Sequence, residues 1–267
     1  MNLNELKKNA DRFTGFADVY DAARPAMPSY PVERITCYLG GVPECVVDIG
    51  CGTGLSMRVW SGHCHTLIGI DPSSDMLREA EKKKTDGSII IQAYAHATGL
   101  PDHSADAVIC SQAFHWMEPV ATLAEINRVL RPGGIFATVD CDWPPVFNVR
   151  AEQSYVDLFQ EVSRLEQELP DLQEKSRRWP KNRHLDHIRQ SGYFSYCREI
   201  TFANRENADA ERIIKLAFSQ GGLQNVRTHH PELIEEKWEQ YCRQIRCLLG
   251  RDSFPIDFCY RMRLGVK

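Results

Sequence analysis

The sequence lacks several features that would settle its class at once. No run approaches the roughly eighteen apolar residues needed to cross a bilayer, and the opening MNLNELKKNADRFTG has no apolar core of the kind a secretory leader carries. These absences predict a soluble, cytoplasmic protein with no membrane partner. There is no excess of positive charge: 32 Lys and Arg stand against 36 Asp and Glu, for a net charge of −4. Without a basic field there is little to hold a chain on phosphates, so nucleic acid is not an expected partner. None of the ten cysteines pairs as C-x-x-C, and several sit inside apolar runs such as ECVVDIG and AVICS. They read as reduced thiols rather than disulfide partners. His63, Cys64 and His65 adjoin, and His184 and His187 lie three apart, but no second ligand pair has finger spacing and no metal is expected. Internal repeats and low-complexity tracts are also missing.

What is present is a chain of 267 residues, 43% hydrophobic, long enough for one large α/β domain or two small ones. Charge divides unevenly. Residues 1–142 carry 12 basic and 18 acidic side chains, and residues 143–267 carry 20 and 18. Short apolar runs at 45–49, 66–70, 89–92, 107–110 and 135–139 predict buried strands. Helical segments at 55–60, 73–84 and 120–130 alternate with them, the last stopped by Arg-Pro-Gly-Gly. That rhythm implies a parallel, doubly wound sheet. Residues 143–192 contain no convincing strand and predict a helical insertion. Its first helix, 151–169, carries Tyr155, Leu158, Phe159, Val162 and Leu165 as an apolar stripe. Beyond it, strands at 194–202 and 256–264 flank helices at 208–219 and 231–249, so residues 193–267 are expected to return to the same sheet.

The chemistry concentrates after the first strand, where Val46-Val47-Asp48-Ile49-Gly50-Cys51-Gly52-Thr53-Gly54 runs a strand into three glycines at alternate positions. Glycine there lets backbone come close to a ligand. A dinucleotide fingerprint would place glycine or alanine at position 55, where this chain has leucine. Asp48 would repel phosphates and suits a cationic ammonium or sulfonium group. Asp71, at the end of the second strand, is placed to accept from ribose hydroxyls. A bland reading of Asp71 as a helix cap and of Gly50, Gly52 and Gly54 as an ordinary turn stays open on spacing alone.

These features, with GLP at 99–101 and RVLRPGG at 128–134, resemble the class I S-adenosylmethionine-dependent methyltransferases. The nearest likeness is to the small-molecule group with a trans-aconitate-methyltransferase-like pattern. The resemblance implies a Rossmann-like α/β fold: a seven-stranded, mostly parallel sheet with helices on both faces, an N-terminal cover (1–40), a cofactor-binding core (41–142) and a helical lid (143–192) after strand five. It implies S-adenosylmethionine as cofactor. Gly50, Gly52 and Gly54 would line its methionine part, Asp48 would sit beneath it, Asp71 would take the ribose, and Pro72 with Met76 would flank the adenine. His96 and Ala97 would meet the adenine edge, although His96 stands where relatives commonly have aspartate. The pattern F-x-x-x-A-x-x-Y-x-x-x-R-P formed by Phe13, Ala17, Tyr20, Arg24 and Pro25 resembles the group's N-terminal cover; Tyr20 and Arg24 lie one helical turn apart, and Arg24 suits the cofactor's carboxylate, with a surface salt bridge as the alternative.

At the end of the fourth strand, Ser111, Gln112, Ala113, Phe114, His115 and Trp116 would lie over the transferable methyl group. Ser111 would offer its backbone carbonyl. His115 is the candidate base if the acceptor is a hydroxyl or an acidic carbon. Trp116 would pack the acceptor or face the sulfonium. Simple packing under the lid is an equal reading of the pair. The lid cations Lys175, Arg177, Arg178, Lys181, Arg183 and Arg189 would draw in an anion. The expected function is methyl transfer to a small, polar or anionic molecule. The alternatives are an NAD-dependent oxidoreductase, or a protein that binds S-adenosylmethionine without catalysis. The sequence gives no oligomeric state.

Overall fold

The computed structural model describes residues 21, 23–85, 87–173 and 178–267. Phe13, Ala17, Tyr20, Lys175 and Arg177 lie outside them. Cys45–Ile49 (β1) is buried at all five positions, which is why its sequence is a continuous apolar run interrupted only by Asp48. Alternate residues of the central strands feed two cores. Val46, Ala107, Ile109, Ile135 and Ala137 face one, and Val47, Ile49, Val108, Cys110 and Phe136 face the other.

The other strands are Thr66–Asp71 (β2), Ser88–Gln92 (β3), Ala105–Ser111 (β4), Leu130–Cys141 (β5), Tyr196–Ala208 (β6) and Phe254–Val266 (β7). Their order in the sheet is β3-β2-β1-β4-β5-β7-β6. The pairs β1–β2, β1–β4, β2–β3 and β4–β5 are parallel, while β7 runs antiparallel to both β5 and β6. The seven-stranded, mostly parallel sheet is therefore as expected, with β7 the one reversed strand. The later strands are longer than their apolar stretches suggested. β6 is a ladder partner of β7 along its whole length although half of it is polar.

Tyr30–Leu39 (α1), Met57–Trp60 (α2), Ser74–Lys83 (α3) and Pro119–Val129 (α4) fill the first half. The helix expected at 55–60 forms only from Met57, and that at 73–84 starts one residue later because the Ser73 hydroxyl caps it, accepting from the Met76 N–H. Between β5 and β6 lie Val149–Glu168 (α5), Pro170–Gln173 (α6) and His184–Gln190 (α7); after β6 come Ala210–Phe218 (α8), Gly221–His229 (α9) and Pro231–Leu249 (α10). The stripe on α5 is a packing surface: Tyr155, Leu158, Val162 and Leu165 are buried with Leu223, Val226, Ile234 and Tyr241 of α9 and α10. Helix α9 was not expected. Its start fits closely because Gly222 has no side chain, and a Cβ there would meet Val162 and Glu166 of α5 at 3.2 Å.

Candidate active site

The C-terminal ends of β1, β2, β4 and β5 open into one cavity, the position where an α/β sheet of this order holds a ligand. Its lining brings together the sequence-chosen Arg24, Gly50, Gly52, Asp71, Pro72, Met76, His96, Ser111 and Trp116. Gly54, Asp48, Ala97 and His115 lie outside the lining. Met117, Trp143 and Tyr260 are lining residues that sequence reasoning did not select. Tyr260 had no local signal at all, because it reaches the cavity by pairing with Cys141 across the β5–β7 register.

The three glycines do different work. All have positive φ, at 76°, 55° and 82° for Gly50, Gly52 and Gly54. A Cβ on Gly50 would sit 2.4 Å from the Ala113 Cβ, so this glycine lets the β4 loop pack on the turn. A Cβ on Gly52 would meet nothing within 4 Å and would project from the cavity wall, so only this glycine leaves room for a ligand. The turn is held from behind by Asp71, whose carboxylate accepts from the N–H of Gly52 (3.0 Å) and of Ser73 (2.8 Å). Burial pushes the Asp71 carboxyl up to about 6, against the pull of these two donors.

Asp48 is fully buried beneath the turn. One carboxylate oxygen accepts from the Ser56 hydroxyl, and the other has no hydrogen-bond partner among the described residues. Burial pushes its carboxyl up to about 7, with Asp71 adding to the rise and Ser56 opposing it. A buried acid with an unused oxygen under a turn that lacks a Cβ fits a ligand carrying positive charge. Cys51 and Cys141 also line the cavity; burial raises both thiols, Cys141 to about 12, so they stay protonated.

The opposite wall is aromatic and cationic. The Arg24 guanidinium lies 4.9 Å from the Trp143 ring centroid and donates to the Ser219 carbonyl (3.1 Å) and the Gln220 side chain (2.9 Å) at the α8–α9 corner. Arg178 lies 4.8 Å over Trp116 and 3.7 Å from Glu166. Behind this wall Asp140, 2% exposed, gathers a cluster: His184 Nδ1 at 3.1 Å, Arg263 Nη1 at 3.0 Å, Lys181 Nζ at 3.3 Å and His115 Nδ1 at 4.0 Å. Burial alone would raise the Asp140 carboxyl, yet the His184 hydrogen bond and the Lys181 charge hold it below the usual carboxylate range. His115 is buried with no hydrogen-bond partner on Nδ1 among the described residues, and burial together with the Lys181 charge pushes its pKa well below 6.5. Lys181 also donates to Gln112 Oε1 (2.9 Å), at a residue held at φ 54°. The Trp179 N–H donates to the His115 carbonyl (2.8 Å). The segment around Arg178 to His184 thus closes on the end of β4. Arg178, its side chain 43% exposed, and Lys181, 34% exposed, both lie outside the cavity lining.

With this geometry in view, the comparisons decide the class. The methyltransferase domain family matches residues 47–138. These residues are a class I methyltransferase domain. Such domains use S-adenosylmethionine. An uncharacterized methyltransferase of Mycobacterium bovis, Mb3374, is 32% identical over 124 residues, covering 46% of this chain and 51% of that protein. The chain therefore spans about half the length of the curated relatives it matches. A candidate type II methyltransferase from Anaeromyxobacter dehalogenans shares the fold, with a TM-score of 0.66 at 20% identity over 91% of this chain and 97% of that one. Phosphoethanolamine N-methyltransferase 2 of Haemonchus contortus, solved with phosphomonomethylethanolamine and S-adenosylhomocysteine, aligns with a TM-score of 0.53 at 14% identity, over 98% of this chain and 60% of that one. Among the described residues no helix is long and apolar enough to cross a membrane, and no cluster of His, Cys, Asp and Glu is arranged to hold a metal.

Proposed function

We propose that the chain transfers the methyl group of S-adenosylmethionine to a small, polar or anionic acceptor. The observation that carries this reading is that one cavity is lined both by the glycine turn with Asp71 and by Trp116, Trp143 and Tyr260. Donor and acceptor then share a single enclosed space. A protein that only bound the cofactor would have no use for the second wall, and an NAD enzyme would place Asp48 against its pyrophosphate.

The cofactor, when bound, supplies a methyl carbon already activated by a sulfonium, so the protein's task is to align the acceptor in line with it and exclude water. Asp71 accepts from the ribose hydroxyls through lone pairs left free by its two backbone donors. Pro72 and Met76 flank the adenine, and His96 with Ala97 meets its edge. Gly50, Gly52 and Gly54 shape the turn along the methionine part, Asp48 offers negative charge beneath it, and the family resemblance assigns Arg24, with Tyr20, to its carboxylate. Ser111 contributes its carbonyl at the end of β4. Arg178 stacks over Trp116 and adds positive potential on the acceptor side. Cys51 and Cys141, kept protonated, do not compete for the methyl.

His115 is the candidate base. Its lowered pKa leaves it unprotonated at pH 7 but weakens it as a base, and the Asp140 carboxylate, 4.0 Å from Nδ1, is the group that opposes this lowering. Two experiments test the reading. A metabolite-library screen for S-adenosylhomocysteine release, with trans-aconitate-like polycarboxylates among its members, identifies the acceptor; calorimetry showing saturable NAD binding and no response to S-adenosylhomocysteine would overturn the assignment. With the acceptor known, His115→Ala should lower kcat by about 10²-fold or more while cofactor affinity holds. Unchanged turnover would remove the base.

A further inference from the structure

The two edges of the sheet are unlike. β3 ends one side with five residues, whereas β6 ends the other with thirteen, Tyr196–Ala208, containing neither proline nor glycine. Among the described residues β6 pairs with β7 alone, which leaves its outer row of backbone donors and acceptors without a strand. An edge of that length is a template for another strand unless something blocks it.

The sequence of β6 is built around Phe202. Arg198-Glu199 and Arg205-Glu206 stand at equal distances on either side of it. If β6 meets a second copy of itself antiparallel about a two-fold axis at Phe202, Arg198 falls opposite Glu206 and Glu199 opposite Arg205, twice each. A slip of one residue in one direction sets Arg198 against Arg205; a slip in the other sets Glu199 against Glu206. The charges therefore permit one register and penalise its neighbours.

The flanking strand extends the pattern. In the β6–β7 ladder Glu199 lies beside Arg263 and Arg205 beside Asp257. Both are ion pairs, at 2.8 Å each. Across the paired edges a straight row would read Arg263, Glu199, Arg205 of the second copy, Asp257 of the second copy. Signs alternate across four strands, and symmetry gives the row twice. The axis brings two Phe202 rings together, each already stacked on Tyr260 at 5.2 Å, and the exposed Tyr196 falls opposite the small Ala208.

We infer that β6 is a self-pairing edge and that two copies of the chain join their seven-stranded sheets through it into one continuous sheet. A self-associating surface is isologous by necessity, and a sequence symmetric in charge about one residue satisfies that condition.

Sedimentation of the full chain at about 100 μM and low salt should show a dimer that weakens as salt rises. Arg198→Glu and Glu206→Arg should each weaken it by about tenfold, and the double swap should restore it, because the pair is regained with its sign reversed. Asn207→Cys provides a second readout. Its thiol would face the native Cys197 of the other copy at a Cα separation of about 4.5 or 5.5 Å, within disulfide range. A covalent dimer should form on mild oxidation and be lost when Cys197→Ser is added. A monomer under these conditions overturns the proposal. So does a dimer that ignores both charge reversals, or one that the double swap fails to recover.

Discussion

The two halves of the cavity are made by different means. The cofactor half comes from one stretch of about fifty residues, in which a turn, two carboxylates and a helix cap follow one another and backbone does most of the holding. The proposed acceptor half is assembled from Gln112, Trp116, Trp143 and Tyr260, contributed by separate elements, with Lys181 bonded to Gln112 and Arg178 stacked over Trp116 from outside the lining. A site built from local backbone leaves a motif in the sequence. A site built from distant side chains leaves none.

Substitutions should therefore sort by half. The largest effect is expected at Asp140, where the acceptor half is tied together. Asp140→Ala should cost about 3 kcal/mol in urea unfolding, the low end for breaking a buried ion pair, because Glu199 still holds the other side of Arg263. Adding Arg263→Met should recover part of that loss; a single variant as stable as the parent would show that the cluster does not bind the halves.

Asp71→Ala should weaken S-adenosylhomocysteine binding by about 1–3 kcal/mol with little change in the acceptor's KM. Calorimetry checks it, and unchanged affinity would place the ribose elsewhere. The third effect is one of pH. Asp48 is raised to about 7, so its proton opposes a cationic ligand below that pH. Folding alone favours the protonated form, whose stabilisation is lost as pH rises through 7. Binding of the cationic cofactor favours the ionised form. Affinity should therefore improve on the order of tenfold from pH 6 to pH 8 and then level off, and proton release should register in buffers of different ionisation enthalpy. Asp48→Asn should flatten the slope. The smallest change is expected for Arg178→Ala, which removes one cation from the Trp116 face. It should raise the acceptor's KM about two- to fivefold with cofactor affinity intact.

Much of the fold was legible because the central strands are buried on both faces and so appear as nearly continuous apolar runs, as at Cys45–Ile49 and Ala105–Ser111. β6 was found only in part, since its polar outer residues are tolerated at an edge. Helix α9 was missed because a Gly-Gly start reads as a turn; its fit depends on α5, which the local sequence does not reveal. In the site, Gly50, Gly52 and Asp71 were readable from spacing. Gly54 was read as a ligand glycine, yet it lies outside the lining and its Cβ position faces Ala80 of α3. His115 was chosen for its place after β4, and its nearness to Asp140, 4.0 Å from Nδ1, arises only when β5 lies beside β4. The contacts of Lys181 with Gln112 and Asp140 were not legible because those partners are far away in sequence.

The position of β7 has a consequence for how the molecule comes into being. This strand is synthesised after β6 but lies between β5 and β6. On the ribosome, the strands that carry Asp71 and the glycine turn can pair as they emerge. β6 has no neighbour to join until β7 arrives and slots between it and β5. Arg263 and Tyr260 ride on that late strand. The nascent chain thus has a finished cofactor cradle before it has an acceptor wall, and for that interval Asp140 stands at an open seam without Arg263, the guanidinium it holds at 3.0 Å in the folded protein.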